Sequence, residues 1–361
     1  MSVHRRGERW TVRYRDGAAH RQRTFASYDD AVLFDASTTV RRATGTLDEL
    51  AAGKQTLDAY VAETWAPTYD AMLAPATRGL YARLYDVVIG PTLGAVALRN
   101  ITPEMVSAWQ AAEVRRGRGR EQIRQAHTLL GNILQRAVES RRIATNPQRL
   151  SRKVKPGPRR RPVVLAPASV EALRAALRRT GSLTPDRDAT LVSVLAYAGL
   201  RPGEALTLRW RDIGARTITV DAPKTGQRRI VRLLAPLKAD LAAWRMASGR
   251  PAPSALVFPA RNGAWTPAAY RSWTRRAFRD AATAAGIDGV TVYDLRHSFA
   301  SLLAHERRSA PYIADQLGHG VELSLKTYQH VLRELEDQPA IAADDAIRGA
   351  RANGGANIRA V

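Results

Sequence analysis

The stretch from Tyr293 to His330, YDLRHSFASLLAHERRSAPYIADQLGHGVELSLKTYQH, constrains this chain more than any other. Leu295, Phe299, Leu302 and Leu303 recur at helical spacing and predict an apolar face running from Asp294, which is expected as the N-cap. A second short helix is expected from Pro311 to Leu317, since proline suits a first helical residue and Gly318 suits the position just past an end. His319 is then left on a turn, and Tyr328 follows nine residues later. One compact region thus presents Arg296, His297, His319 and Tyr328 from helix ends and turns.

The segment before it reads in the same terms. Asp186 to Ala198 is almost entirely apolar, so a buried helix is expected there, ending at Gly199. Arg201 follows on a turn, in LRPGE, before a helix expected to run through Leu206 and Leu208 to Trp210. Thr217–Val220 and Arg228–Leu233 read as two strands, with Lys224 at or beside the turn between them. Helices are expected over 169–178, 234–247 and 266–285. The tail from Ala340, rich in Ala, Asp and Gly, is expected to be partly mobile.

Upstream, two other modules are expected. In residues 1–50, Trp10, Val12 and Tyr14 alternate with Thr11, Arg13 and Arg15, the period of a half-exposed strand. Asp16-Gly17 marks a hairpin turn, the return strand runs to Phe25, and Ser27 opens a helix. Arg13 and Arg15 are candidates for entering a DNA groove, which admits a β-ribbon; the alternative is a solvated arginine face. Residues 56–148 read as a helical bundle, with Thr102-Pro103-Glu104 opening one helix and Gln122–Arg142 forming a long amphipathic one. Between them, RRGRGR puts Arg118 on a turn that is either solvated or touches phosphate. Residues 149–164 form a basic, proline-rich linker in which Arg159, Arg160 and Arg161 are candidate phosphate contacts. The remainder divides as a domain over 165–338 and a tail over 339–361. The fold class is therefore mainly α with small β elements, an α+β arrangement of three modules.

Charge narrows the function. The 361 residues carry 56 Lys and Arg against 33 Asp and Glu, a formal net charge of +23, which points first to a polyanion such as nucleic acid. There is no cysteine, so thiolate nucleophiles, thiolate metal sites and disulfides are excluded. No apolar run is long enough to span a membrane and the N-terminus carries no signal-peptide pattern, so a cytoplasmic location is expected.

Arg201, Lys224, Arg296, His319 and Tyr328 make a chemically coherent set. Two fixed guanidinium groups match the oxygens of one phosphate and stabilise the charge of phosphoryl transfer. A phenol becomes a nucleophile where cations favour the phenolate. A lysine on a hairpin can protonate a leaving oxygen. Glu204 is expected to support Arg201 or the helix dipole, and His297 to brace its own turn. The set contains no carboxylate cage for magnesium, so metal-independent chemistry without a cofactor is expected.

These stretches carry a resemblance. AYAGLRPGEALTLRW around Arg201, the Lys224 hairpin, YDLRHSFAS around Arg296, LGHG around His319 and TYQH around Tyr328 resemble the tyrosine recombinases of the phage integrase family. The resemblance implies that Tyr328 attacks a DNA phosphodiester to give a 3′-phosphotyrosine and a free 5′-hydroxyl, that Arg201 and Arg296 hold the phosphate, that Lys224 is the general acid and that His319 supports the phosphate. It also implies double-stranded DNA with attachment sites as partner, a homotetramer on that DNA, and an excisionase or DNA-bending protein as possible accessory factors. Tyr293 stands where the family often has His; a phenol can donate a hydrogen bond to phosphate but is a poor base near neutral pH. A DNA-binding protein that does not cut, and a topoisomerase using the same chemistry, are the alternative readings.

Overall fold

The computed structural model describes residues 3–16, 19–43, 53–158, 160, 162–179, 184–221, 228–320, 322 and 340–352. Two compact units divide the chain, Met1–Arg159 and Arg160–Val361. No described helix is long and apolar enough to cross a membrane.

The first unit begins with a three-stranded antiparallel sheet, β1 (Val3–Arg6), β2 (Arg9–Asp16) and β3 (Ala19–Phe25), in that order. Trp10 pairs with Phe25 and Val12 with Arg23, so the alternation along β2 puts Val12 inward and Arg13 and Arg15 outward. Helix α1 (Tyr28–Ala43) covers the sheet. Its Ser27 hydroxyl accepts from the Asp30 amide at 3.1 Å, as the sequence predicts. Phe34 packs between Tyr14 and Phe25.

The rest of this unit is helical. The long amphipathic helix α3 (Arg120–Glu139) starts two residues earlier and ends three earlier than its periodicity suggests. It buries Leu129, Leu130, Ile133 and Leu134 against α2 (Pro103–Arg115) and the helical segments between residues 57 and 93. Thr102 caps α2 by accepting from the Met105 amide.

Residues 146–155 are strapped onto these two helices. Gln110 donates to the Arg152 carbonyl and accepts from the Val154 amide, while Arg124 donates to the Val154 carbonyl. Buried His127 accepts from Gln148 and pairs with Ser151 at 2.9 Å. Burial, with Lys153 and Arg124 nearby, pulls this imidazole down to about 4, so it is neutral at physiological pH. The start of the expected linker is thus fixed structure, because its carbonyls and amides find side-chain partners.

The second unit is built round α5 (Pro185–Tyr197), which is buried on every side. Packed against it are α4 (Pro167–Arg179), α7 (Ala235–Ala247) and α9 (Val292–His305). Gly199, just past the end of α5, has φ +60°, and a Cβ there would stand 2.5 Å from Phe299 and 2.9 Å from Leu317. Only glycine allows that turn and that approach together. Helix α6 (Pro202–Thr207) stops short of the expected Trp210. Leu208 turns extended there and accepts from the Val257 amide, and Trp210 donates to the Ala255 carbonyl. Pairing with a distant segment thus outbids helix continuation. Strands β4 (Thr217–Asp221) and β5 (Arg228–Arg232) pair antiparallel. Helix α8 (Pro267–Trp273) continues through a π-turn, Thr274–Phe278, into helical residues Arg279–Ala284.

One further expectation is corrected. Asp294 is the third residue of α9, and the N-cap is Thr291. The Thr291 amide and hydroxyl both donate to the Asp294 carboxylate, at 2.7 and 2.6 Å, a capping box. Within the tail, Ala343–Ala352 form helix α11, with Ala343 and Ile347 buried against the unit's core, and residues 353–361 lie outside the described residues. Arg351 holds it to Asp240 on α7 at 2.7 Å.

Candidate functional site

Helix α10 (Ala310–Leu317) starts one residue before the expected Pro311, capped by Ser309, and ends as the sequence predicts, with Gly318 in the left-handed conformation. Its last carbonyls are where the site assembles. Arg296, on the second turn of α9, donates to the carbonyls of Gly199 and Leu317. Arg201, the residue before α6, donates to the next carbonyl, that of Gly318, at 2.7 Å. Three segments far apart in the chain therefore bring two guanidinium groups onto consecutive peptide units, one residue before His319.

Their environments differ. The Arg296 residue is 3% exposed, and burial together with the nearby Arg201 charge lowers its pKa. It remains a cation at neutral pH, since no ordinary site deprotonates a guanidinium. Arg201 keeps about a third of its side chain open to solvent. His319 is lowered from its ordinary value by burial and by Arg296 and Arg201, against the pull of the Gly320 carbonyl. It is a neutral imidazole at neutral pH, a hydrogen-bonding group rather than a third charge.

Glu204 ties the site together. Its carboxylate accepts from the Arg201 amide and the Arg201 guanidinium, each at 2.8 Å. Burial alone would raise this carboxyl, but hydrogen bonds from Arg229 and Arg201 outweigh it and hold the group at about 2. Glu204 thus bonds Arg201 directly. Arg229 was not anticipated. It occupies an inward position of β5, 8% exposed, while Ile230 beside it is largely exposed. That inversion of the strand's polar and apolar faces is the signal that could have found it.

Tyr293 is 48% exposed, and its ring meets that of His297 edge-on at 5.9 Å. His297 is part-buried on α9; burial lowers its pKa, with Asp294 opposing. Tyr293 also lines a cavity of about 580 Å³ with Pro202, Tyr270, Arg275 and Arg279.

The candidate DNA contacts divide. Arg13 and Arg15 are exposed on β2. Arg118 is instead turned onto Glu113 and the Val87 carbonyl. Arg160 donates to Asp294 at 2.7 Å and to the Gly289 carbonyl at 2.6 Å, so its guanidinium is engaged within its own unit. Lys224, Tyr328, His330, Arg159 and Arg161 lie outside the described residues.

Comparisons with known proteins bear on the family and the fold. The Phage integrase family profile matches residues 164–334. The chain is 32% identical to the integrase of Mycobacterium phage L5 over 45% of its length, a match that spans 40% of the phage protein. It is 30% identical to the tyrosine recombinase XerC of Xanthomonas campestris pv. campestris over 259 residues, 71% of this chain and 78% of that protein. Among solved structures, a lambda integrase dimer bound to a COC′ core site shares the fold with a TM-score of 0.64 at 16% identity, over 93% of this chain and 96% of that one. A lambda integrase tetramer bound to a Holliday junction matches similarly, with a TM-score of 0.63 at 16% identity, over 90% of this chain and 94% of that one.

Proposed function

The chain belongs to the phage integrase family of tyrosine recombinases, and from that premise we propose that it is a site-specific DNA recombinase of a phage or mobile element. Tyr328 attacks the scissile phosphorus, giving a 3′-phosphotyrosine and releasing a 5′-hydroxyl. A 5′-hydroxyl from the partner strand later attacks the phosphotyrosine and restores the diester, so the bond energy is kept without ATP. Arg201 and Arg296 bind the non-bridging oxygens and offset the charge that grows in the transition state. His319 supports the same phosphate, Tyr293 donates a hydrogen bond to it, and Lys224 protonates the leaving 5′ oxygen.

The observation that carries this reading is the convergence of Arg296 and Arg201 on the carbonyls of Leu317 and Gly318, beside His319. Two rigidly held forks one residue apart suit a single phosphate. The β1–β3 module, with Arg13 and Arg15 outward, reads arm-type DNA, and the helical segment after it grips the core site. Four protomers act on two duplexes, as the lambda integrase tetramer on a Holliday junction suggests by likeness of fold.

A duplex nicked beside the scissile phosphate traps the covalent intermediate, because the short strand diffuses away. The expected result is a protein–DNA adduct resistant to denaturation, absent with Tyr328→Phe. No adduct on a duplex carrying the attachment core, or an adduct unchanged in Tyr328→Phe, rejects the proposal.

A further inference from the structure

One carboxylate faces two guanidinium groups at the start of α6, and it treats them unequally. Arg229 takes both oxygens of Glu204, through Nη1 at 2.9 Å and Nη2 at 2.7 Å. Arg201 reaches only Oε1 with its side chain. The Arg229 side chain is 7% exposed and that of Arg201 35%. A two-bond fork in a dry site is the stronger pairing. One negative charge between two positive ones leaves a surplus of one, and the surplus resides on the more accessible Arg201.

Arg229 also holds the neighbouring turn. Its Nε donates to the Gln316 carbonyl at 3.1 Å, and its Cδ lies 2.9 Å from where a Cβ on Gly318 would stand. Gln316 in turn accepts from the Arg232 amide at 2.8 Å and donates to the Ile230 carbonyl at 3.2 Å. Strand β5 is therefore bonded to the end of α10, whose last carbonyls receive Arg296 and Arg201.

We infer that Arg229 is a positioning residue for the phosphate pocket: by neutralising Glu204 it leaves the Arg201 charge available to DNA, and by holding residues 316–318 it fixes the carbonyl that aims Arg201. The inference rests on the recombinase reading and adds no new reacting group. Without Arg229, Glu204 has Arg201 as its remaining guanidinium partner in this cluster. The Arg201 fork is then drawn back toward α6, and its charge is cancelled where a phosphate would need it.

The test is single-turnover cleavage of the nicked duplex by the full chain carrying Arg229→Met. Adduct formation is expected to slow by about 100-fold, the scale of a 1 Å misplacement, while affinity for the same duplex holds. Two arms separate charge from folding. Adding Glu204→Gln to Arg229→Met removes the unneutralised carboxylate and is expected to recover about tenfold. A methylphosphonate at the scissile position carries no charge, so the gap between wild type and Arg229→Met is expected to narrow on it. Wild-type cleavage by Arg229→Met overturns the inference. So does a loss that neither Glu204→Gln nor the methylphosphonate relieves, which marks a purely structural role. Absence of adduct from the wild-type chain is a different failure, that of the recombinase reading, and is seen before any variant is compared.

Discussion

Arg160 donates to the carboxylate of Asp294 across 134 residues of sequence, at 2.7 Å. The same carboxylate accepts from the Val163 amide at 3.0 Å and from Thr291. A basic residue expected to follow a phosphate backbone is thus bonded to the first turn of the helix that carries Arg296.

Asp294→Asn is expected to destabilise the second unit by about 2 kcal/mol at neutral pH, since it removes charge-assisted bonds from a buried acceptor. Burial would raise this carboxyl, but the bonds from Thr291, Arg160 and Val163 lower it. A folded pKa below the unfolded one means the contribution is complete above about 3.9 and is lost as pH falls through the lower folded value. Urea unfolding of both proteins should therefore show a constant gap from neutral pH down to about 5 that closes in stronger acid. Arg160→Ala, at a half-exposed pair, should cost less, under about 1 kcal/mol. A gap that survives full protonation contradicts the assignment.

Gly318→Ala tests the turn before His319. The position has φ +65°, where a side chain costs about 1–2 kcal/mol, and the new methyl would press on Arg229. Both stability and the rate of adduct formation should fall, the rate by more than thermal unfolding accounts for. Equal cleavage at a temperature where both proteins are folded would show that this turn does not set the pocket.

For Lys224→Ala, adduct formation should drop by about 10²–10⁴-fold, the usual worth of a general acid, with little change in DNA affinity. A substrate with sulfur in place of the bridging 5′ oxygen leaves without protonation and should restore the rate. Persistence of the defect on that substrate removes Lys224 from the role.

Chelation separates this chemistry from metal-assisted transfer. With cationic side chains neutralising the phosphate, EDTA should leave adduct formation intact. Full loss in EDTA, reversed by a divalent cation, would contradict the proposed mechanism.

What could be read from sequence followed the range of the forces involved. The buried α5, the Thr102 cap and the α10–Gly318 ending depend on residues close in sequence, and all are seen. Thr291 and Asp294 are both acceptable caps, and the choice turns on Val292, which is buried and so begins the helix. Arg118, Arg160 and Arg229 find carboxylates 5, 134 and 25 residues away. At the longer separations no periodicity announces such a partner, so a buried pair and a solvated charge look alike in the sequence. Helix α11 was missed because its Ala-rich sequence gains stability from Ile347 in the core and from Arg351 on Asp240.

Helix α9 is gripped at its first turn by Arg160 and Val163, where the second unit begins, and just past its last by the tail, since the Ala343 amide donates to Glu306 at 2.8 Å. The opening and closing segments of this unit thus share a single axle, and Arg296 rides on it. Trimming the second unit at either end would loosen the bearing of the Arg296 guanidinium.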